Sequence, residues 1–258
     1  MRMFDVPPAT HRGFCVYANL FTLKSLLISP GSDYRGYKMS SKTTLLTKYG
    51  FTPDEIDRRS LEMVSDALPS MPDLSDWEQY VVKRIVRAEG DPDIAQYVKI
   101  SSGAVALGVS ALKSGAPIIT DVRMVQVGTS KALLKSNGNS ITTMIDHPSV
   151  AERAQREKIT RSAAAMRQLA PQLTGAVVAI GNAPTALLAL LDLVDQGEVS
   201  PALVIGMPVG FVACAESKDE LVKRPINPIA IIGNRGGSSA AAATLNALLS
   251  LAREDNHG

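Results

Sequence analysis

Residues 175–206 read GAVVAIGNAPTALLALLDLVDQGEVSPALVIG. The stretch opens on a short apolar run, Ala176–Ile180, and turns at Gly181-Asn182. It continues as a helix-length apolar segment over 184–195 and closes on a second run, Ala202–Ile205. A short run that is apolar at every position suits a strand buried on both faces. Two such strands separated by a helix imply parallel pairing with a right-handed crossover. Pro184 fits a first helical turn, with Asn182 near the cap.

The same alternation extends outward. Ala116–Thr120 (APIIT), Ile141–Ile145 (ITTMI) and Ile229–Ile232 (IAII) are further strand-like runs. Helices are predicted at about 148–157, 161–170, 184–195, 216–223 and 237–252. Two more precede them. One opens at Thr52-Pro53 and stops at Pro69, and the next is capped by Ser75 or Asp76 and ends at Gly90. The expected architecture is an α/β, flavodoxin-like three-layer sandwich with a five-stranded parallel sheet and the N-terminal helices packed against it. The domain is expected over 46–252, after an extension at 1–45 and before a tail at 253–258.

Composition narrows the function. A net charge of +2 is too small to argue for nucleic acid or an anionic membrane, so an anionic ligand must be held by locally placed arginines. Two cysteines, Cys15 and Cys214, in no metal-type spacing suit a reducing, cytoplasmic compartment. Three histidines, His11, His147 and His257, are too few for a His-rich metal site. No apolar run reaches the roughly 18 residues of a spanning helix. Val16 to Pro30 admits a signal or transit peptide; Met39 as the true start is the plainer alternative.

Ligands of open parallel sheets sit beyond the carboxyl ends of the strands. The segments expected there are Asp121–Met124, Asp146–Ser149, Gly181–Thr185, Gly206–Phe211 and Gly233–Ser238. GNRGGSS (233–239) is neither a P-loop nor a dinucleotide fingerprint, and its glycines also suit a tight turn into the last helix. Thr160-Arg161-Ser162 opens an Ala-rich helix, with Thr160 as the expected N-cap; an arginine and two hydroxyls there suit a carboxylate. Arg84 and Arg87, three apart, share one helix face. For each motif the plainer alternative is a cap, a turn or a solvated charge.

Several stretches resemble those of precorrin-8X methylmutases, over roughly 55–252. They are GAPIITDVRMVQVG (115–128), DHPSVAERA (146–154), TRSAAAM (160–166), AIGNAPTALLALL (179–191), PALVIGMPVGFV (201–212), AESKDEL (215–221) and GNRGGSSAAAATLNALL (233–249). The resemblance implies an isomerase that moves a methyl group from C11 to C12 of precorrin-8X, giving hydrogenobyrinic acid, or acts on the cobalt-containing counterpart. It implies a homodimer, a corrinoid ligand with many acidic arms, and no cofactor or metal. The family's substrate-contacting serine matches Ser60 in IDRRSLEMV (56–64), and its substrate-contacting arginine matches Arg84 in VVKRIVRAEGD (81–91). Its TRSAA arginine matches Arg161. Thr160, Ser162, Asn182 and Thr185 complete the expected substrate-binding set.

One position departs from the family. Its acid–base histidine is replaced by Arg87. Imidazole exchanges protons near neutrality, whereas guanidinium does not. Arg87 can still stabilise charge or clamp a carboxylate. Three readings follow: an active methylmutase with an electrostatic Arg87, a non-catalytic corrinoid binder, and an unrelated α/β protein binding a small anion. His147 is expected to be a capping or solvated histidine rather than a replacement acid.

Overall fold

A computed structural model describes Thr44, Leu45 and residues 50–254. The chain divides into two units, Met1–Gly50 and Phe51–Gly258. In the first unit, the described Thr44, Leu45 and Gly50 are exposed. The expectations for the leader, for a start at Met39 and for residues 255–258 lie outside the described residues.

The second unit opens with α1 (Pro53–Ala67) and α2 (Asp76–Glu89). Each starts with a capping box, Thr52 with Glu55 and Ser75 with Glu78, which satisfies backbone donors the helix cannot use itself. Gly90 ends α2 in the left-handed conformation that glycine adopts without steric cost. A 3₁₀ turn, Pro92–Tyr97, leads to β1 (Val98–Ile100) and α3 (Ala104–Lys113). Next come β2 (Ile118–Thr120), the short helices α4 (Arg123–Gly128) and α5 (Lys131–Asn137), and β3 (Ile141–Thr142). The remainder alternates: α6 (Pro148–Glu157), α7 (Arg161–Gln168), β4 (Val177–Ile180), α8 (Pro184–Asp195), β5 (Leu203–Gly206), α9 (Cys214–Val222), β6 (Pro228–Ile231) and α10 (Ser238–Glu254).

The sheet has six strands in the order β1-β6-β5-β4-β2-β3, which corrects the five-stranded, wholly parallel expectation. All five predicted runs form strands and pair in parallel. The added strand, β1, pairs antiparallel with β6 at the sheet edge, Lys99 opposite Ala230. β1 has three residues and a half-buried, exposed, half-buried pattern. A strand that short, with a lysine at its centre, carries neither an apolar run nor a full alternation.

Side chains alternate across the strands and so feed two cores. Ile118, Val177, Ala179, Leu203, Ile205, Ile229 and Ile231 pack with α2, α3, α4, α5 and α10. Ile119, Val178, Ile180, Val204 and Ala230 face the other way, onto α7, α8 and α9. α6 closes against α7 through Val150, Ala154, Ala164 and Ala165. Because both faces are covered, the central strands must be apolar throughout, and each buried Ile, Val or Leu contributes about 1.5–3 kcal/mol. This arrangement leaves the strand ends and the α1–α2 face available for polar chemistry.

Candidate active site

The capped helices α1 and α2 pack against each other and bring Asp57 onto the arginines of α2. Asp57 Oδ1 accepts from Arg84 Nη1 at 3.3 Å and from Arg87 Nη1 at short range. The guanidinium side chains are 24% and 28% exposed and Asp57 is 48% exposed. One carboxylate therefore neutralises only half of the local positive charge. Because Asp57 is half-exposed, water competes for its carboxylate and limits what the pairing contributes.

Asp57, Arg84 and Arg87 line a groove of about 420 Å³ with Gly128, Ser239 and Asn246. Arg87 also lines a neighbouring groove of about 350 Å³ with Ser60, Met63 and Val86. Ser60 thus sits one groove over from Arg84, its hydroxyl donating to Ile56 O at 2.6 Å. A larger groove, about 520 Å³, lies between the Pro69–Leu74 loop and β1. Its lining carries Asp73 and Asp93 but no arginine, lysine or histidine, so it is unsuited to a polyacidic ligand. Charge, not volume, distinguishes the α1–α2 groove.

A second polar region lies at the carboxyl ends of the strands. Asp121, 1% exposed after β2, accepts from the amides of Gly181 at 2.9 Å, Asn182 at 2.9 Å and Ala183 at 2.8 Å. Burial pushes the Asp121 carboxyl above its ordinary pKa, against the pull of the three amide donors. Gly181 admits no side chain, because a Cβ there would meet Val125 Cγ2 at 2.5 Å and Ser238 Cα at 2.9 Å. Asn182 is held exposed on this loop. It does not cap α8, whose N-cap is Ala183 with no side-chain hydrogen bond; the Asp121 carboxylate orders this turn instead.

Thr160 caps α7 as expected, accepting from Ala163 N–H at 3.2 Å. Its hydroxyl also meets that of Thr185 at 2.7 Å, joining the first turns of α7 and α8. Ser162 is half-buried beside them. Arg161 donates to Ile145 O at 3.4 Å and lies 3.9 Å from Asp146, which Arg123 approaches at 3.1 Å. Arg161 and Arg123 are 58% and 72% exposed. His147 caps α6, its Nδ1 accepting from Ser149 N–H at 3.3 Å, so it serves as a cap.

The predicted set therefore falls into two groups. Arg84 and Arg87 share a groove and Ser60 adjoins it. Thr160 and Thr185 touch, with Arg161 and Ser162 following Thr160 in the first turn of α7 and Asn182 on the loop before α8. The grooves lined by Arg84 and Arg87 do not include Arg161. The sequence pattern singles out nothing at Asp57, and it places Asp121 in a strand-end segment without a role of its own. Asp57 meets its partners across separations of 27 and 30 residues, and Asp121 meets Gly181 across 60, so no local spacing marks either.

The family model for precorrin-8X methylmutase matches residues 55–251. A cobalt-precorrin-8 methylmutase of Priestia megaterium is 40% identical over 200 residues, covering 78% of this chain and 88% of that protein. A precorrin-8X methylmutase of Pseudomonas aeruginosa is 42% identical over 178 residues, covering 67% of this chain and 84% of its own length. The crystal structure of a precorrin-8X methylmutase from Thermus thermophilus superposes with a TM-score of 0.73 at 37% identity, covering 78% of this chain and 97% of that one. The match takes in both groups of site residues, and the chain belongs to the precorrin-8X methylmutase family.

Proposed function

We propose that this protein is an isomerase of cobalamin biosynthesis that moves a methyl group from C11 to C12 of precorrin-8X, or of its cobalt-containing counterpart. The observation that carries this reading is the family match over 55–251, with both methylmutase names represented among the relatives. Those relatives favour the enzyme over a non-catalytic binder.

The substrate is a ring bearing acidic arms, and Asp57 presents the same functional group to Arg84 and Arg87. A substrate carboxylate replaces Asp57 there, taking charge-assisted hydrogen bonds in a half-buried groove. Arg87 stabilises charge on the macrocycle as the methyl group moves, without transferring a proton. Ser60 contacts the ring from the adjoining groove, and Thr160, Arg161, Ser162, Asn182 and Thr185 receive further arms. The working assembly is a homodimer. The site is cytoplasmic, in keeping with the cysteine usage; among the described residues no helix is long and apolar enough to cross a membrane. The five parallel strands run β3-β2-β4-β5-β6, which supports a flavodoxin-like core with one antiparallel strand added.

Incubating the purified protein with precorrin-8X and following the visible spectrum tests the activity. Conversion to hydrogenobyrinic acid is the expected result. A spectral shift on binding with no product over hours would replace the enzyme by a binder.

A further inference from the structure

Lys218 is fully buried, on the inner face of α9. No carboxylate among the described residues pairs with it. Its ammonium donates to two backbone carbonyls, Pro208 O at 3.0 Å and Arg235 O at 2.7 Å, and lies beside the Cys214 thiol. These belong to the loops that follow β5 and β6. Cys214, one turn earlier, donates its thiol to the same Pro208 carbonyl at 3.2 Å. A buried ammonium without a carboxylate partner is an expensive way to fill space, because an apolar side chain of similar length would avoid the desolvation. Burial holds its pKa below the ordinary lysine value, against the opposing pull of Cys214.

The bonds have a directional consequence. The N–H and C=O of a trans peptide point in opposite directions, and no described peptide is cis. With Pro208 O and Arg235 O turned inward onto Lys218, the amides of Val209 and Gly236 face away from it. Val209 is exposed and Gly236 is half-buried, and neither amide has an acceptor among the described residues. The neighbouring amides are satisfied, Gly210 by Asn234 O at 3.2 Å and Gly237 by Met207 O at 2.9 Å. Gly236 sits so close to the β5 loop that a Cβ would approach Met207 O to 2.7 Å and Pro208 O to 2.9 Å. The two loops are therefore clamped together over the ammonium.

We propose that Lys218 is a positioning residue for substrate binding: it orients the Pro208–Val209 and Arg235–Gly236 peptides so that their N–H groups take acidic arms of the ligand. This rests on the reading of the ligand as a polyacidic macrocycle. Lys218 touches no ligand itself and acts through the two peptides.

The test compares hydrogenobyrinic acid with the same corrinoid whose carboxylates are converted to amides. Wild-type protein prefers the acid. Lys218→Met lowers that preference about 10- to 100-fold, mainly through the affinity for the acid, with kcat changed less. A merely structural lysine would weaken both ligands alike. In ¹⁵N-labelled wild-type protein, the Val209 and Gly236 amide resonances move on titration with the acid and not with the amide form. If Lys218→Met does not fold, this titration decides alone. An unchanged preference in a folded variant, or unmoved amides at saturation, overturns the proposal. Wild-type protein that binds neither corrinoid instead overturns the proposed function and takes this inference with it.

Discussion

Two arginine–aspartate–arginine clusters occupy different parts of the chain. Asp57 holds Arg84 and Arg87 between α1 and α2, while Asp146 holds Arg123 and Arg161 beyond β2 and β3. Their composition is the same, but their surroundings differ. The first pair of arginines is 24% and 28% exposed and lines a groove; the second is 72% and 58% exposed. Charge in a half-dry groove acts at lower effective dielectric and with less competition from water. The same three residue types are therefore expected to hold an anion more strongly in the first place than in the second.

The largest effect is expected at Arg87. Arg87→His returns a proton donor to the groove, and kcat rises by about 10²-fold or more. Steady-state kinetics over pH 5–9 would show the gain as a limb with an imidazole-like midpoint. An unchanged kcat would mean that Arg87 already supplies all the assistance the shift needs. Next is Arg84, the second arginine of that groove. Arg84→Met lowers kcat/KM about 10- to 100-fold by removing a charge-assisted contact, whereas Arg161→Met lowers it about fivefold or less. Equal losses would erase the distinction between the clusters.

Smaller again is the effect of freeing the arginines. Asp57→Asn tightens binding of hydrogenobyrinic acid about 2- to 5-fold by removing the internal competitor, as titration of the visible spectrum would show. Weaker binding would make Asp57 a partner of the ligand rather than its stand-in. The smallest effect concerns stability. Hydrogen bonds from Arg153 and Arg167 hold Glu157 below the ordinary value of 4.5, and Arg224 holds Asp195 below 3.8. Both carboxylates favour the folded state above those ordinary values. That contribution fades as pH falls through the lowered folded values. The melting temperature therefore declines slightly below about pH 4, and Asp195→Asn flattens the decline.

The fold was legible where burial leaves a mark in composition. Val177–Ile180 and Leu203–Gly206 are buried at every position, and both show as unbroken apolar runs. β1 left no such mark, because Lys99 points out from a three-residue edge strand. α4 has six residues and no side-chain cap, so neither periodicity nor a cap announces it. At the site, the spacing of Arg84 and Arg87 placed them on one face, and they do converge on Asp57. Lys218 was illegible for the opposite reason. In AESKDEL it sits among charges and suggests a solvated helix face, yet the loops after β5 and β6 cover it completely. Tertiary contact, not local pattern, decides such cases.

A crystal structure with hydrogenobyrinic acid bound tests the central claim most directly. The account predicts ring carboxylates within about 3 Å of the Arg84 and Arg87 guanidinium groups, with Asp57 turned away from both. A complex in which the corrinoid lies elsewhere, with Arg84 and Arg87 still bonded to Asp57, would contradict it.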